Sequence, residues 1–174
     1  KPGPVDAGYA QATLAGLPYT LLGHPSVLLG GGSGGFRVQE ALALGASHVT
    51  VLEPEPVLAG ALRHGFGPSP GFGADPRVTV TAESPIAAAE TGRYDLVDLS
   101  ADFLDQAEAN VAAFSVEALS TYLRALTPGG LVSIPVSIRD FPVYALRMLA
   151  TARSALLAAG VADPAAHTVV YRSA

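Results

Sequence analysis

The chain has 174 residues, of which 49% are hydrophobic and 14% charged, and its formal net charge is -5. This length favours a single domain, and ten Lys and Arg residues in an acidic chain argue against a nucleic-acid partner. The absence of cysteine removes disulfides, thiolate nucleophiles and thiolate metal sites, and a lone lysine at position 1 removes a P-loop lysine and Schiff-base chemistry.

The first 25 residues are rich in Gly and Pro and show little periodicity. We expect a lead-in segment over 1–25 with at most a short helix, followed by one cofactor-binding domain over 26–174. Four apolar side chains of this segment could cover an edge of the core: Tyr9, Leu14, Leu17 and Leu21. The chain starts with Lys instead of Met, and its last strand-like run, 167–172, ends abruptly, so we expect a fragment of a longer protein.

The most informative motif consists of the six residues that directly follow the first strand-like run: Gly30, Gly31, Gly32, Ser33, Gly34 and Gly35. The apolar run 26–29 before them predicts a strand, and the stretch 36–44 after them predicts a helix. A glycine turn at that place lets a ligand approach the backbone closely, because no Cβ intervenes, and directs the N–H groups of the helix N-terminus at it. The turn therefore predicts a nucleotide-like cofactor.

Strand-like and helix-like runs alternate along the rest of the chain. The predicted strands are 27–29, 48–52, 78–81, 96–99, 131–136 and 167–171, and the predicted helices are 36–44, 56–62, 85–90, 115–126 and 142–159. Regular alternation is typical of a doubly wound α/β fold, in which helices cover both faces of a mostly parallel sheet. We expect the last strand to run antiparallel to its neighbours.

Capping residues and glycines mark several boundaries of these elements. Ser115 precedes one predicted helix, Pro128-Gly129-Gly130 follows it, and Gly160 follows the last helix. The longest irregular stretch, 64–77, predicts a surface loop, either beside the ligand edge of the sheet or as an insertion that the fold tolerates.

In a doubly wound sheet, ligands bind at the carboxyl ends of the strands, where strand order reverses. Glu53 ends the second predicted strand about 20 residues after the turn, where a carboxylate can accept hydrogen bonds from both hydroxyls of a ribose. Glu83 follows the third strand and could accept from an adenine amino group. The alternative for both is a solvated acid at a strand end. Asp98, Ser100 and Asp102 surround the end of the fourth strand.

Metal and hydrolase chemistry have little support in the sequence. The four histidines, His24, His48, His64 and His167, show none of the spacings that metal sites use, so we expect no metal. Ser33 is not part of a G-x-S-x-G elbow, and no histidine can be placed as its base, so we do not expect a serine hydrolase.

Several segments occur in the order and spacing of the S-adenosylmethionine-dependent methyltransferase fold. They are the turn 30–35, Glu53, Asp75-Pro76-Arg77-Val78, Glu83, Tyr94-Asp95 and Leu126-Thr127-Pro128-Gly129-Gly130. Within that fold, the sequence resembles the spermidine and spermine synthase family of polyamine aminopropyltransferases, over about residues 27–136. The resemblance implies a class I methyltransferase-like Rossmann fold, and the Leu-x-Pro-Gly-Gly segment separates it from a nicotinamide dehydrogenase.

The resemblance implies a transferase that binds S-adenosylmethionine or its decarboxylated form and moves an aminopropyl or methyl group to a small amine, without a metal. It places the glycine turn beside the amino-acid or aminopropyl end, Glu53 on the ribose and Glu83 near the adenine. Its candidate catalytic residues are Asp98, Ser100 and Asp102. Two family aspartates, one in the turn and one after the fourth strand, are replaced here by Ser33 and Ser100.

These two serines keep a second hypothesis open, a catalytically silent cofactor-binding or regulatory domain. A methyltransferase with an unknown acceptor and a nicotinamide-binding domain are further alternatives. The stretch from Ser115 to the long helix is most similar to bacterial relatives in which such a domain is fused to transmembrane segments. That similarity implies a cytoplasmic domain, tethered in its parent protein to the inner face of the membrane and partnered by a membrane-embedded region of the same chain. A homodimer is a further expected assembly.

Overall fold

The structure is a computed structural model that describes residues 7–67, 69–99, 112–136 and 142–172. Its helices are α1 (Gly16–Leu22), α2 (Phe36–Ala43), α3 (Pro56–His64), α4 (Pro85–Thr91), α5 (Val116–Ala125) and α6 (Pro142–Ala158). Its strands are β1 (Ser26–Gly30), β2 (His48–Leu52), β3 (Gly65–Phe66), β4 (Ser69–Pro70), β5 (Val78–Thr81), β6 (Tyr94–Leu99) and β7 (Leu126–Ser133). None of the described helices is both long and apolar enough to cross a membrane.

The central sheet has the strand order β5-β2-β1-β6-β7, and all of its ladders are parallel. The chain moves outward from β1 to β2 and β5, and then returns to the other side of β1 with β6 and β7. Strand order therefore reverses between β1 and β6, where Gly30 pairs with Leu99. The predicted doubly wound and mostly parallel α/β fold is confirmed, and its ligand edge lies at this reversal.

Successive residues of the central strand β1 enter two different hydrophobic cores. Val27 and Leu29 of β1 pack in one core with side chains of α1, α2 and α3. Leu28 lies on the opposite face, in a core that α4, α5 and α6 cover. Both faces of the sheet are thus buried at β1, which explains why this strand is a run of Val and Leu, whereas β5, at the edge of the sheet, alternates Val and Thr.

Side-chain caps begin three of the helices. Ser84 accepts a hydrogen bond from the Ala87 N–H at 3.2 Å, and Ser115 accepts one from the Ala118 N–H at 3.1 Å. Glu55 caps α3, and prolines occupy the first turn of α3 and α4, where no N–H is needed. The cap predicted at Ser115 is confirmed, and α5 lies within one residue of both predicted ends.

Strand β7 begins five residues earlier than the predicted strand 131–136. Leu126 pairs with Tyr94 and Leu131 pairs with Leu96, so five steps along β7 match two along β6. Residues 127–130 form the resulting bulge, in which Gly129 adopts a φ of 84°. The Pro-Gly-Gly segment therefore follows the end of α5, as expected, but lies inside the strand because glycine accommodates the bulge.

The prediction of a strand over 167–171 is wrong. Asp163 accepts a hydrogen bond from the Ala165 N–H at 3.1 Å and begins a 3₁₀ helix, Pro164–His167. The hydroxyl of Tyr171 then donates to the Leu14 carbonyl oxygen at 3.0 Å, which ties the segment to the chain before α1. The Tyr171 side chain also lies beside Ser133 at the end of β7, but no ladder among the described residues joins the segment to that strand, and strand propensity alone does not form a strand. Antiparallel pairing in the described residues is confined to β3 and β4.

The apolar residues of the first 25 positions are not arranged as expected. Tyr9, Leu14, Leu17 and Leu21, which were expected to cover the core, are between 37% and 67% exposed. Helix α1 instead turns Tyr19 inward, and this side chain is 1% exposed within the core of α2 and α3. The expectation failed because the helix phase, not hydrophobicity alone, decides which residues face the sheet.

Tyr122 of α5 supplies a stability prediction. Its side chain is fully buried, and its hydroxyl has no hydrogen-bond partner in the described part of the chain. We expect Tyr122→Phe to raise the free energy of unfolding by about 1 kcal/mol, because it removes an unpaired buried polar group. Urea unfolding measures this gain. Tyr94→Phe is the matched control, since the Tyr94 hydroxyl donates to the Ala88 carbonyl oxygen at 3.4 Å; an equal gain in both variants would contradict the explanation.

Candidate functional site

The glycine turn lies at the reversal of strand order, between the end of β1 and the start of α2. Its last three residues form a 3₁₀ helix, closed by a hydrogen bond from the Gly35 N–H to the Gly32 carbonyl oxygen at 2.8 Å. Gly34 and Gly35 adopt φ values of 61° and 103°, a region that side chains with a Cβ rarely enter. Ser33, with a φ of 46°, is the one non-glycine residue at positive φ among those described.

The glycines of this turn have two kinds of surroundings. A Cβ on Gly35 would lie 2.9 Å from the ring of Phe72, and a Cβ on Gly32 would lie 3.0 Å from Leu62. Gly32 and Gly35 leave no room for a Cβ because the protein's own side chains pack against them. A Cβ on Gly34 would meet nothing within 4 Å. Beside Gly34, therefore, the backbone of the turn is open to a ligand.

Glu53 directly follows β2 and is buried, with 5% of its surface exposed. Its Oε1 accepts one hydrogen bond, from the Glu55 N–H at 3.2 Å, and none of the ion pairs among the described residues includes it. Burial raises the pKa of Glu53 above its ordinary value, although the hydrogen bond from Glu55 opposes the shift. A buried carboxylate with so little compensation is a candidate for binding a ligand that donates hydrogen bonds.

Glu83 follows β5 and is exposed. Strands β2 and β5 are neighbours, and Leu52 pairs with Thr81, so Glu53 and Glu83 leave the sheet at the same edge. The Glu83 N–H donates to Thr81 Oγ1 at 3.3 Å, which anchors the start of the loop but leaves the exposed carboxylate turned to solvent. The roles of Glu53 on a ribose and of Glu83 near an adenine stay predictions.

Asp98 lies inside β6 and is 3% exposed, on the face of the sheet that α1 and α2 cover. Its Oδ2 accepts two hydrogen bonds, from the Tyr19 hydroxyl at 2.8 Å and from Arg37 Nη2 at 2.6 Å. Arg37 also donates to Glu40 at 2.6 Å, and Tyr9 donates to Glu40 at 2.9 Å. Burial raises the pKa of Asp98, and the charge of Arg37 opposes this effect. Its two partners, Tyr19 and Arg37, bind Asp98 into a network that links α1, α2 and β6, and Glu40 and Tyr9 extend this network from Arg37.

This arrangement bears on the predicted catalytic residues. Since Oδ2 of Asp98 already holds two donors, the carboxylate is well placed to position Arg37 and the helix that follows the glycine turn. Its role as a proton acceptor stays a prediction. The other two candidates, Ser100 and Asp102, lie outside the described residues.

Sequence reasoning did not single out Tyr19, Arg37 or Glu40. A signal for them was present, because Asp98 interrupts an apolar strand, and a buried carboxylate requires partners. The sequence could not identify those partners, since Tyr19 is 79 residues and Arg37 is 61 residues away along the chain.

The Asp75-Pro76-Arg77 motif has a structural role. Both carboxylate oxygens of Asp75 accept from the Arg77 guanidinium, at 3.0 and 2.8 Å, and Oδ1 also accepts from the Arg77 N–H at 2.9 Å. These hydrogen bonds lower the pKa of Asp75 to about 2. The Val78 N–H donates to the Asp75 carbonyl oxygen at 3.0 Å, so the motif forms the turn that starts β5.

No candidate metal centre occurs within the described residues, since they contain no cluster of three or more His, Asp or Glu side chains that could hold an ion. The edge of the sheet instead combines a glycine turn with buried and exposed carboxylates. That combination is suited to hydrogen-bond donors on a ligand, such as hydroxyl, amine and ammonium groups.

Comparison with solved structures places this arrangement in a known fold. A spermidine synthase in complex with the transition-state analogue AdoDATO aligns with a TM-score of 0.59 at 14% identity, over 86% of this chain and 49% of the other. The spermidine synthase from Thermotoga maritima aligns with a TM-score of 0.60 at 16% identity, over 86% and 50% of the two chains. This chain thus spans about half the length of both enzymes.

A ribosomal protein L11 methylase from Lactobacillus delbrueckii subsp. bulgaricus also aligns, with a TM-score of 0.53 and 16% identity, over 80% of this chain and 66% of the methylase. No protein-family model and no curated protein matches the sequence. At these identities the similarity shows the fold alone. The chain has a Rossmann-like α/β fold similar to that of methyltransferases.

The buried ion pair of Arg37 and Asp98 gives a stability prediction. We expect Arg37→Met to lower the free energy of unfolding by about 3 kcal/mol, because it leaves the Asp98 carboxylate buried without a cation. Adding Asp98→Asn should recover part of the loss, since the second change removes the unpaired charge. Urea unfolding of the two single variants and the double variant measures the coupling.

The matched control for this cycle is Arg77→Met, which breaks a pair on the surface in which half of the Arg77 side chain is exposed. It should leave the free energy of unfolding nearly unchanged, because solvent screens exposed pairs. A loss in Arg77→Met as large as the loss in Arg37→Met would contradict the distinction.

Glu53→Gln tests whether the ionised carboxylate of Glu53 lowers the free energy of unfolding. Because the pKa of Glu53 is raised in the folded state, the folded protein binds a proton more tightly than the unfolded chain. The contribution of Glu53 to stability therefore falls as pH rises from the unfolded pKa, near 4.5, through the folded pKa. We expect Glu53→Gln to be more stable than wild type at pH 7 and to lose that advantage at pH 4, as measured by thermal unfolding. A variant less stable than wild type at pH 7 would contradict this account.

Proposed function

We propose that this chain is the cofactor-binding domain of a transferase that uses S-adenosylmethionine or decarboxylated S-adenosylmethionine. One observation carries the proposal: a buried carboxylate, Glu53, lies at the end of β2 and has, among the described residues, one weak backbone donor and no cation. It lies at the same edge of the sheet as a glycine turn whose backbone is open beside Gly34. An adenosine ribose, with two neighbouring hydroxyl donors, fits that carboxylate.

The residues of the edge fit such a cofactor group by group. Glu53 accepts from the ribose hydroxyls, and Glu83, after the neighbouring strand, accepts from the adenine amino group. The turn, with Ser33 and the open backbone at Gly34, passes beside the amino-acid or aminopropyl end. The residues assigned to the turn contact are Gly30, Gly31, Gly32, Ser33, Gly34 and Gly35.

Glu53, Glu83 and the glycine turn would hold the cofactor, which would supply a carbon next to a sulfonium for attack by a nucleophile's lone pair, with the electrons of the broken C–S bond passing to sulfur. The chain's part is to hold the nucleophile in line with that carbon and to keep water away. An amine nucleophile must also lose a proton. Asp98, Ser100 and Asp102 remain the candidates to receive or relay that proton, and we assign Asp98 a positioning role through Arg37.

The small amine acceptor, the membrane-tethered parent protein, the cytoplasmic location and the homodimer are parts of the same proposal. They rest on the sequence resemblance to spermidine synthases. The two spermidine synthases in the comparison support the small amine acceptor, because each of them aligns over 86% of this chain.

A second candidate function is a cofactor-binding domain without catalysis. The observation that favours it is the state of Asp98, whose Oδ2 is already bonded to Tyr19 and Arg37. Replacing Ser33 and Ser100 together with Asp restores the family's acids. Aminopropyl transfer that appears only in this double variant would support the silent domain, and transfer by the wild type would exclude it.

Calorimetric titration tests the proposed cofactor. We expect wild type to bind S-adenosylmethionine or its decarboxylated form, and Glu53→Ala to bind it at least about tenfold more weakly, because a charged hydrogen-bond acceptor is lost. Glu90→Ala is the matched control, since Glu90 is an exposed acid at the end of α4, away from the strand ends. It should bind as wild type does.

Preference for the decarboxylated form would support aminopropyl transfer, and preference for the intact form would support methyl transfer or sensing. The proposal fails if neither form binds, or if Glu53→Ala and Glu90→Ala have the same affinity as wild type.

A further inference from the structure

An apolar pocket lies directly beside the glycine turn. It has a volume of about 180 Å³, and its walls come from the turn, from α3 and from the hairpin of β3 and β4. Gly34, which leaves the backbone of the turn open, lines the pocket together with Gly35. A molecule in the pocket and a ligand on the turn would therefore share the surface of Gly34.

The pocket has the size and lining of a site for one ring. Its apolar walls include Leu58, Leu62, Phe36, Phe66 and Phe72. An apolar cavity of roughly 150 Å³ holds a benzene molecule. The rings of Phe36 and Phe66 are 61% and 82% exposed, so they form an open mouth where an incoming apolar group would cover them.

Charge is absent from the lining. None of the twelve residues that line the pocket is Asp, Glu, Lys, Arg or His. The nearest charged side chains along α2, Arg37 and Glu40, are bonded to each other, and Arg37 is bonded to Asp98 as well. An ammonium group that entered the pocket would lose its hydration without gaining a counter-charge. A polyamine chain is therefore a poor occupant.

Two polar side chains, Gln39 and Ser69, also line the pocket. Gln39 lines it, is half-buried, and its amide has no hydrogen-bond partner among the described residues. An amide offers both a donor and an acceptor. It would select an apolar ring that carries a neutral hydrogen-bonding substituent, such as a hydroxyl group.

We propose that this pocket binds a neutral, ring-sized apolar group with a hydroxyl-type substituent, and that this group is part of the acceptor of the transfer reaction. The assignment to the acceptor rests on the proposed function, since the pocket is an acceptor site only if the turn holds the donor. The reacting nitrogen or oxygen then stays outside the pocket, toward Gly34. The acceptor class is an aromatic or cyclic amine or alcohol instead of a linear polyamine.

The test titrates the isotope-labelled protein with p-cresol as the probe and with putrescine as the comparison. The amide chemical shifts of the protein report binding. We expect p-cresol to shift the amides of Gly34, Gly35 and Phe66 with saturation, and putrescine to leave them unchanged. Ala61→Phe fills the pocket from α3 and should weaken p-cresol binding by about tenfold or more. Val57→Phe is the matched control, because Val57 is on the same helix, is 75% exposed and does not line the pocket.

Two further variants keep the test independent of how Ala61→Phe folds. Phe66→Ala removes an exposed ring at the mouth, and Gln39→Leu removes the amide; each should weaken p-cresol binding by about threefold or more, which corresponds to one modest contact or hydrogen bond. The proposal is overturned if p-cresol leaves the three amides unshifted, if Ala61→Phe, Phe66→Ala and Gln39→Leu all bind it like wild type, or if putrescine shifts the same amides.

The same samples are titrated with S-adenosylmethionine and its decarboxylated form. Cofactor binding without p-cresol binding overturns the pocket inference and leaves the proposed function standing. Binding of p-cresol by a protein that binds neither cofactor supports the ligand class and overturns the assignment of the pocket to an acceptor.

Discussion

A buried ion pair connects the elements that meet where the strand order of the sheet reverses. Arg37 enters from the first turn of α2, directly after the glycine turn, and meets Asp98 at 2.6 Å next to the last residue of β6. Tyr19 of α1 donates to the same oxygen. Because an unpaired carboxylate at that depth would be strongly destabilising, α1, α2 and β6 are constrained to meet at one place. These contacts fix the start of α2, and with it the end of the glycine turn, relative to β6.

Glu53 is the opposite case at the same edge of the sheet. It is as buried as Asp98, yet in the part of the chain that the structure describes it has a single backbone donor and no cation. Oδ2 of Asp98 thus accepts its hydrogen bonds from the fold, whereas the carboxylate of Glu53 can still accept hydrogen bonds from a ligand. Differences of this kind between neighbouring carboxyl groups are the physical basis for separating structural from binding residues.

The pocket beside the turn is less charged than a polyamine site would require. Ser33 occupies the turn, Arg37 is paired with both Asp98 and Glu40, and the pocket is lined mostly by aromatic and aliphatic side chains, with Gln39 and Ser69 as its polar side chains. The solved spermidine synthases share the fold of this chain, but the alignments cover only about half of each enzyme. The similarity does not extend to the other half. The chemistry of the acceptor is better judged from this chain's own pocket.

The sequence by itself determined the alternation of strands and helices, the glycine turn between β1 and α2, the cap at Ser115 and the acid after β2. Each of these depends on residues close together in the chain, through hydrophobic periodicity, backbone freedom or a local hydrogen bond. Only the tertiary structure decided the rest: the partners of Asp98, the inward face of α1, the course of 167–171 and the pocket beside Gly34. These depend on contacts between residues tens of positions apart, and such contacts are set by packing, which a local pattern does not encode.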